Sequence, residues 1–242
     1  MQLSELTILL AANGLAFRGG FCPDTIDGVP SGRDGKAPAT LILVGDIGGA
    51  IWPFFSRSQE ASDGTPDPLD RWTRRVVDDL AAAAGATPIY PFGGPPYWPF
   101  QRWAQRAEPV FPSPLGILIH PEHGLWHAYR AALSFAEAID LPPRTAARSP
   151  CESCAARPCL SACPVGAFSG QGFAVDACAG HIGQPAGEPC MTGGCLARNA
   201  CPVAADRRYS GPQIRFHMAA FRRARAKQDP APAIHLAATV DD

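Results

Sequence analysis

The chain has 242 residues, is 46% hydrophobic and 18% charged, and carries 21 basic against 22 acidic side chains, for a formal net charge of −1. This is the composition of a globular protein, long enough for one large domain or a medium domain with a small companion. No stretch approaches the run of about 18 apolar residues that a membrane-spanning helix needs.

The first ten residues hold no Lys or Arg, and their apolar run ends at Asn13-Gly14, so residues 4–13 read as an ordinary amphipathic helix and not as an export signal. The cytoplasm is the expected location. The 26 prolines and 24 glycines predict many loops and turns.

The apolar run at 40–44 (Thr-Leu-Ile-Leu-Val) reads as a buried strand, with Gly45-Asp46-Ile47-Gly48-Gly49 as the loop behind it. That loop lacks the Gly-x-Gly-x-x-Gly spacing of a dinucleotide cradle, which makes a plain turn the expectation. Asp67 is placed to cap a helix that starts at Pro68, presents Leu69, Trp72, Val76, Leu80 and Ala83, and stops at Gly85. Residues 87–90 suit a second strand. Residues 91–114 are dense in Pro, Gly and aromatics, which excludes regular structure over 91–100 and predicts a loop packed on the core.

Residues 115–120 suit another strand, turned at Pro121-Glu122-His123-Gly124. Residues 125–135 fit either a strand or a helix by spacing. His120, His123 and His127 lie within eight residues and are either metal ligands or histidines bonded to backbone around a turn. Arg130 and Arg144 are candidates for holding a phosphate or carboxylate, or are solvated arginines.

Eight of the nine cysteines fall between Cys151 and Cys201, while Cys22 stands apart beside Pro23 and reads as a free or buried thiol. An odd count with no export signal speaks against a disulfide framework and for metal. The spacing is Cys151-x2-Cys154-x4-Cys159-x3-Cys163-Pro164, then Cys178, then Cys190-x4-Cys195-x5-Cys201-Pro202. In two-cluster ferredoxins the cysteine before proline serves the other cluster. Applied here, the rule assigns one 4Fe–4S cluster to Cys151, Cys154, Cys159 and Cys201, and a second to Cys163, Cys178, Cys190 and Cys195. Two zinc sites of four thiolates are the alternative, although zinc does not account for the repeated Cys-Pro.

Residues 212–227 read as a helix with Ile214, Met218 and Phe221 on one face. Positions 207–227 hold Arg207, Arg208, Arg215, Arg222, Arg223, Arg225 and Lys227 and no acidic residue, leaving 14 basic against 22 acidic residues elsewhere. A solvated face, an acidic electron-donor protein such as a flavodoxin or ferredoxin, or RNA could face this helix. RNA ranks below the donor protein because aromatic interleaving is thin. Residues 229–242 read as a frayed, flexible tail.

The cysteine module resembles the dicluster ferredoxin domain of epoxyqueuosine reductases and reductive dehalogenases. Upstream, Gly116-Ile117-Leu118-Ile119-His120-Pro121-x-x-Gly124-x-Trp126-x-Ala128-x-Arg130 and Leu141-Pro142-Pro143-Arg144, with 40–44 and Asp67-Pro68-Leu69-Asp70 in matching order, resemble the cobalamin-processing (CblC-type) proteins. This likeness implies an α+β fold: a nitroreductase-like mixed sheet with flanking helices over 1–146, then a small two-cluster ferredoxin-like domain over 147–228. It also implies a strand hairpin across 115–135. A corrinoid would lie between the 91–114 loop, Trp126, Arg130 and the nearer cluster, with His120 and Arg144 as further binding candidates.

Three functions follow from the resemblance: a reductase passing electrons to a corrinoid or small substrate, a non-catalytic dicluster electron carrier, and an epoxyqueuosine-reductase-like tRNA-modifying enzyme. Pro112-Ser113-Pro114-Leu115 stands where those reductases carry a Gly-Trp-x-Gly-Lys-like run, and their helical repeats do not follow the cysteines here.

Overall fold

A computed structural model describes residues 2–32, 35–169 and 172–228, so the tail expected at 229–242 lies outside the described residues. Helix α1 (Leu3–Ala11) leads into β1 (Ala16–Phe21), and the apolar run becomes β2 (Thr40–Ile47). Short helices α2 (Trp52–Phe55) and α3 (Gln59–Ser62) precede the long α4 (Pro68–Ala84) and β3 (Thr87–Ile89). Then come α5 (Phe100–Ala107), β4 (Phe111–Pro112), β5 (Leu118–Ile119) and β6 (His127–Phe135). The main sheet has the order β1-β2-β6-β3, and every neighbouring pair is antiparallel.

Both faces of this sheet are covered, which is why β2 is apolar without alternation. Ile42, Val44, Ala131, Leu133 and Phe135 pack under α1 and α4. Leu41, Leu43 and Ala132 pack on the other side under Trp98, Phe100 and Trp103. The aromatic loop before α5 is therefore the cover of the second face. Trp98 and Trp103 stack there with ring centroids 6.3 Å apart, and the Trp103 indole N–H donates to the Asp27 carbonyl at 2.9 Å.

Several local expectations need correcting. Gly45 and Asp46 belong to β2, not to a loop, and the turn follows at Gly48, whose φ is +57°. Gly45 is required inside the sheet, since a Cβ there would lie 2.0 Å from the Ala128 carbonyl oxygen. Asp67 occupies the N-cap position of α4 but makes no side-chain cap, because its backbone is left-handed (φ 53°). Ala83 is exposed, and Thr73, Val77 and Ala81 complete the buried stripe with Leu69, Trp72, Val76 and Leu80. Residues 91–114 are not loop throughout, since α5 and β4 interrupt them.

The stretch 127–135 is a strand, yet the expected hairpin across 115–135 does not form. β5 pairs with β4, β6 pairs with β2 and β3, and only an isolated bridge joins His120 to Gly124.

Beyond the sheet the elements are short: α6 (Pro150–Ser153), α7 (Pro158–Ser161), the ribbon β7 (Phe168–Ser169) and β8 (Gly172–Phe173), α8 (Val175–Ile182), α9 (Glu188–Gly193) and α10 (Leu196–Asn199). The final α11 (Gly211–Gln228) returns to the sheet half. Its Phe216 ring lies 5.1 Å from Phe55 and 5.6 Å from Trp52. Leu115, Ile119 and Leu125 form a third apolar cluster with Ala197 and several cysteines, which binds the two halves together.

Candidate functional site

The cysteines are offered by short helices and by the turns beside them. Pro150 and Pro158 start α6 and α7, which present Cys151 and Cys159, and Ser149 caps the first of these through the Cys151 N–H. Cys178 lies in α8, Cys190 in α9, and Cys195 and Cys201 flank α10. All nine cysteines are free thiols.

The fold gathers the eight into two groups. Burial pushes the Cys151 thiol up, and the neighbouring Cys201, Cys159 and Cys154 push it further. Cys159 is raised by burial and then by Cys201 and Cys154. In the other group burial pushes Cys178 up to about 11, with Cys195, Cys163 and Cys190 adding to it. Cys190 and Cys195 are likewise raised by burial first and by members of that group. Cys201 thus stands with Cys151, Cys154 and Cys159, and not with its sequence neighbours Cys190 and Cys195.

Thiols that repel one another's charge become thiolates when a cation joins them. Among the described residues no three His, Cys, Asp or Glu side chains converge to the spacing of a single metal ion. Cys151, Cys154, Cys159 and Cys201 instead line one cavity together with Ile119 and Pro202. Backbone N–H groups point at sulfur: Ala167 donates to Cys163 Sγ at 3.3 Å, Leu196 to Cys190, and Ala197 and Arg198 to Cys195. Soft thiols in fours, with N–H donors around them, fit a polynuclear iron–sulfur group better than a lone zinc ion.

The other predicted residues are not assembled into one pocket. Trp126 is 2% exposed and sits in the core, edge-on to Tyr209 with centroids 5.4 Å apart and with the Arg198 guanidinium 4.3 Å over its ring. Arg130 lies on the α4 side of the sheet, where its Nε donates to Asp46 Oδ1 at 2.8 Å. Arg144 lies on the opposite side and donates to the Glu108 carbonyl at 3.2 Å. Trp98, Phe100 and Trp103 cover that opposite side too, so the sheet stands between them and Arg130.

The three histidine rings pack near one another around the turn, and burial lowers the pKa of each. His120 stacks on His123 with centroids 4.2 Å apart, and the Glu122 N–H donates to its Nδ1 at 3.0 Å. Burial holds His120 down to about 4. Arg18 Nη2 lies 3.2 Å from His127 Nδ1, and His127 Nε2 lies 3.2 Å from the Leu118 carbonyl. Arginine can only donate, so Nδ1 accepts and Nε2 carries the proton.

His127 belongs to a buried network that sequence reasoning missed. Arg18, 1% exposed, donates to both Glu108 oxygens at 2.6 and 3.2 Å and to the Asp46 carbonyl at 3.2 Å. The Tyr129 hydroxyl donates to the same carboxylate, and burial with that negative neighbour pushes its acidity far below normal. Arg18 and His127 are 109 positions apart, so no local spacing could reveal the network.

A second missed feature is a cleft of about 790 Å³ between α11 and the start of α4, lined by Asp67, Asp70, Arg130, Phe216, His217 and Arg223 among others. Behind it, His217 also borders a smaller cavity shared with Cys195, Trp126, Arg198 and Tyr209.

No family model matches the chain, and no curated protein matches it. Among solved structures it is similar to a selenomethionine-labelled epoxyqueuosine reductase, at 16% identity and a TM-score of 0.46 over 74% of this chain and 52% of that one. It is also similar to epoxyqueuosine reductase from Streptococcus thermophilus, at 13% identity and a TM-score of 0.47 over 84% of this chain and 66% of that one. The chain thus spans between half and two thirds of the length of these two structures.

Proposed function

We propose that the protein is an iron–sulfur redox protein with two 4Fe–4S clusters, one on Cys151, Cys154, Cys159 and Cys201 and the other on Cys163, Cys178, Cys190 and Cys195. The observation that carries this reading is the crossed grouping, in which the Cys201 thiol joins Cys151 and Cys159. When bound, such clusters supply one-electron transfer, at potentials tuned by hydrogen bonds to sulfur and by solvent exposure. The chain's own part is to present the thiols, to donate the backbone N–H groups of Ala167, Leu196, Ala197 and Arg198, and to exclude water with Leu115, Ile119 and Leu125. Such thiols belong in the reducing cytoplasm.

The cleft beside His217 favours a reductase that holds its own acceptor over a plain carrier. Trp126 and Arg130 border different cavities, and no arrangement among the described residues calls specifically for a corrinoid or for tRNA. For the electron donor we propose an acidic protein docking on the groove between α8 and α11. Arg222 and Arg225 line that groove opposite the helix that carries Cys178.

Anaerobically purified protein is expected to contain about eight iron and about eight labile sulfide per chain. About two zinc with no sulfide would overturn the reading. The C159A/C201A double variant should keep about four iron, whereas C195A/C201A should lose nearly all. The reverse pattern sinks the crossed assignment.

A further inference from the structure

The cleft between α4 and α11 is built around donors that the rest of the fold leaves free. Arg130 carries five N–H donors, and among the described residues only its Nε has a protein acceptor, Asp46 Oδ1. That bond locks the fork in place while the remainder of the guanidinium lines the cleft. Arg223 lines the same cleft and has no ion-pair partner among the described residues.

The start of α4 opens there as well. Asp67 makes no side-chain cap, so the first free N–H groups of the helix, on Leu69 and Asp70, are left without one. The carboxyls of Asp67 and Asp70 also line the wall, and burial raises the pKa of Asp70 so that it holds its proton more readily. Guanidinium fork, second arginine and helix start together match a phosphate or carboxylate group. The two aspartates match hydroxyl or amine groups elsewhere on the same ligand. A volume of about 790 Å³ suits a small molecule.

The back wall gives this cleft a relation to the cysteines. His217 faces it on one side and on the other faces the small cavity that Cys195 lines. One imidazole therefore stands between the cleft and a thiol of the second set.

We propose that this cleft binds a small anionic molecule, its phosphate or carboxylate held by Arg130 and Arg223. This binding does not rest on the iron–sulfur reading above.

The test uses anaerobically purified protein whose iron is measured on the same sample. Titration calorimetry with inorganic pyrophosphate in one arm and succinate in the other distinguishes a phosphate site from a carboxylate site. At least one is expected to bind, and R223E should weaken that binding about 10-fold or more, as loss of a charge-assisted contact does. R130K, which keeps the charge but loses the fork, should weaken it as well. R225E, in the separate groove against α8, should change it little. Absence of binding to both probes, or equal weakening by R225E, overturns the site. Iron-replete protein that binds neither anion defeats the cleft and leaves the iron–sulfur reading standing. Anion binding by a protein that holds no iron does the opposite.

Discussion

Gly124 lies so close to the carbonyl oxygen of Val203 that a Cβ at that position would stand 2.3 Å from it. This contact joins the histidine turn of the sheet half to the loop that follows Cys201-Pro202, and it sets how near the two halves approach. Gly124 also has φ +57°, which a larger residue adopts only under strain. Gly124→Ala should therefore destabilise the protein through a left-handed backbone, at about 1–2 kcal/mol, and through overpacking at about 1–3 kcal/mol. Urea denaturation followed by tryptophan fluorescence measures this, and a midpoint equal to wild type would show that the halves do not meet in this way.

The Arg18–Glu108 pair predicts a strongly non-additive double-mutant cycle. Both side chains are buried and joined by two hydrogen bonds, with Tyr129 on the same carboxylate. Removing one partner strands the other charge, so Arg18→Met and Glu108→Gln should each cost about 3–5 kcal/mol. The double variant should cost much less than the sum, because neither charge remains. Tyr129→Phe removes a single bond to a charged group and should cost about 1.5–3 kcal/mol. Additive losses in chemical denaturation would contradict the network.

Acid should destabilise the fold from about pH 6.5 downward. His120 and His217 are held down to about 4 and His127 to about 2, in each case mainly by burial. Their folded values lie below the unfolded value of about 6.5, so above that pH both states are neutral and no stability is lost. Below it the unfolded chain takes up protons that the folded chain refuses, and each histidine costs about 1.4 kcal/mol per pH unit until its folded value is reached. Stability measured between pH 7.5 and 5 should fall less steeply in His127→Asn than in the wild type. Parallel curves would show that His127 is not buried and neutral.

The fold was legible where one element decides its own pattern. The apolar run of β2, the stripe and Gly85 stop of α4, and the basic α11 all appear at their expected places because local periodicity and capping act within a few residues. Asp67 shows the limit of that reasoning: it stands at the cap position, but its left-handed backbone turns the carboxylate away from capping. The strand hairpin failed for a different reason. β5 is two residues long and satisfies its edge with β4, leaving β6 to the longer ladder with β2.

The thiols divide along the same line. The Cys-x-x-Cys and Cys-Pro spacings by themselves set apart a thiol-rich module of eight cysteines, the pattern on which the iron–sulfur proposal rests. Only the tertiary structure decided what faces that module. A register shift between β2 and β6, after the Val44–Ala131 pair, turns Arg130 to the α4 face while Tyr129 faces the other cover, so Arg130 meets α11 and Arg144 does not. Faces of a sheet alternate with period two, and one extra residue reverses them. A displacement so small leaves no mark on spacing, composition or charge, and it decides which arginine lines the cleft beside α11.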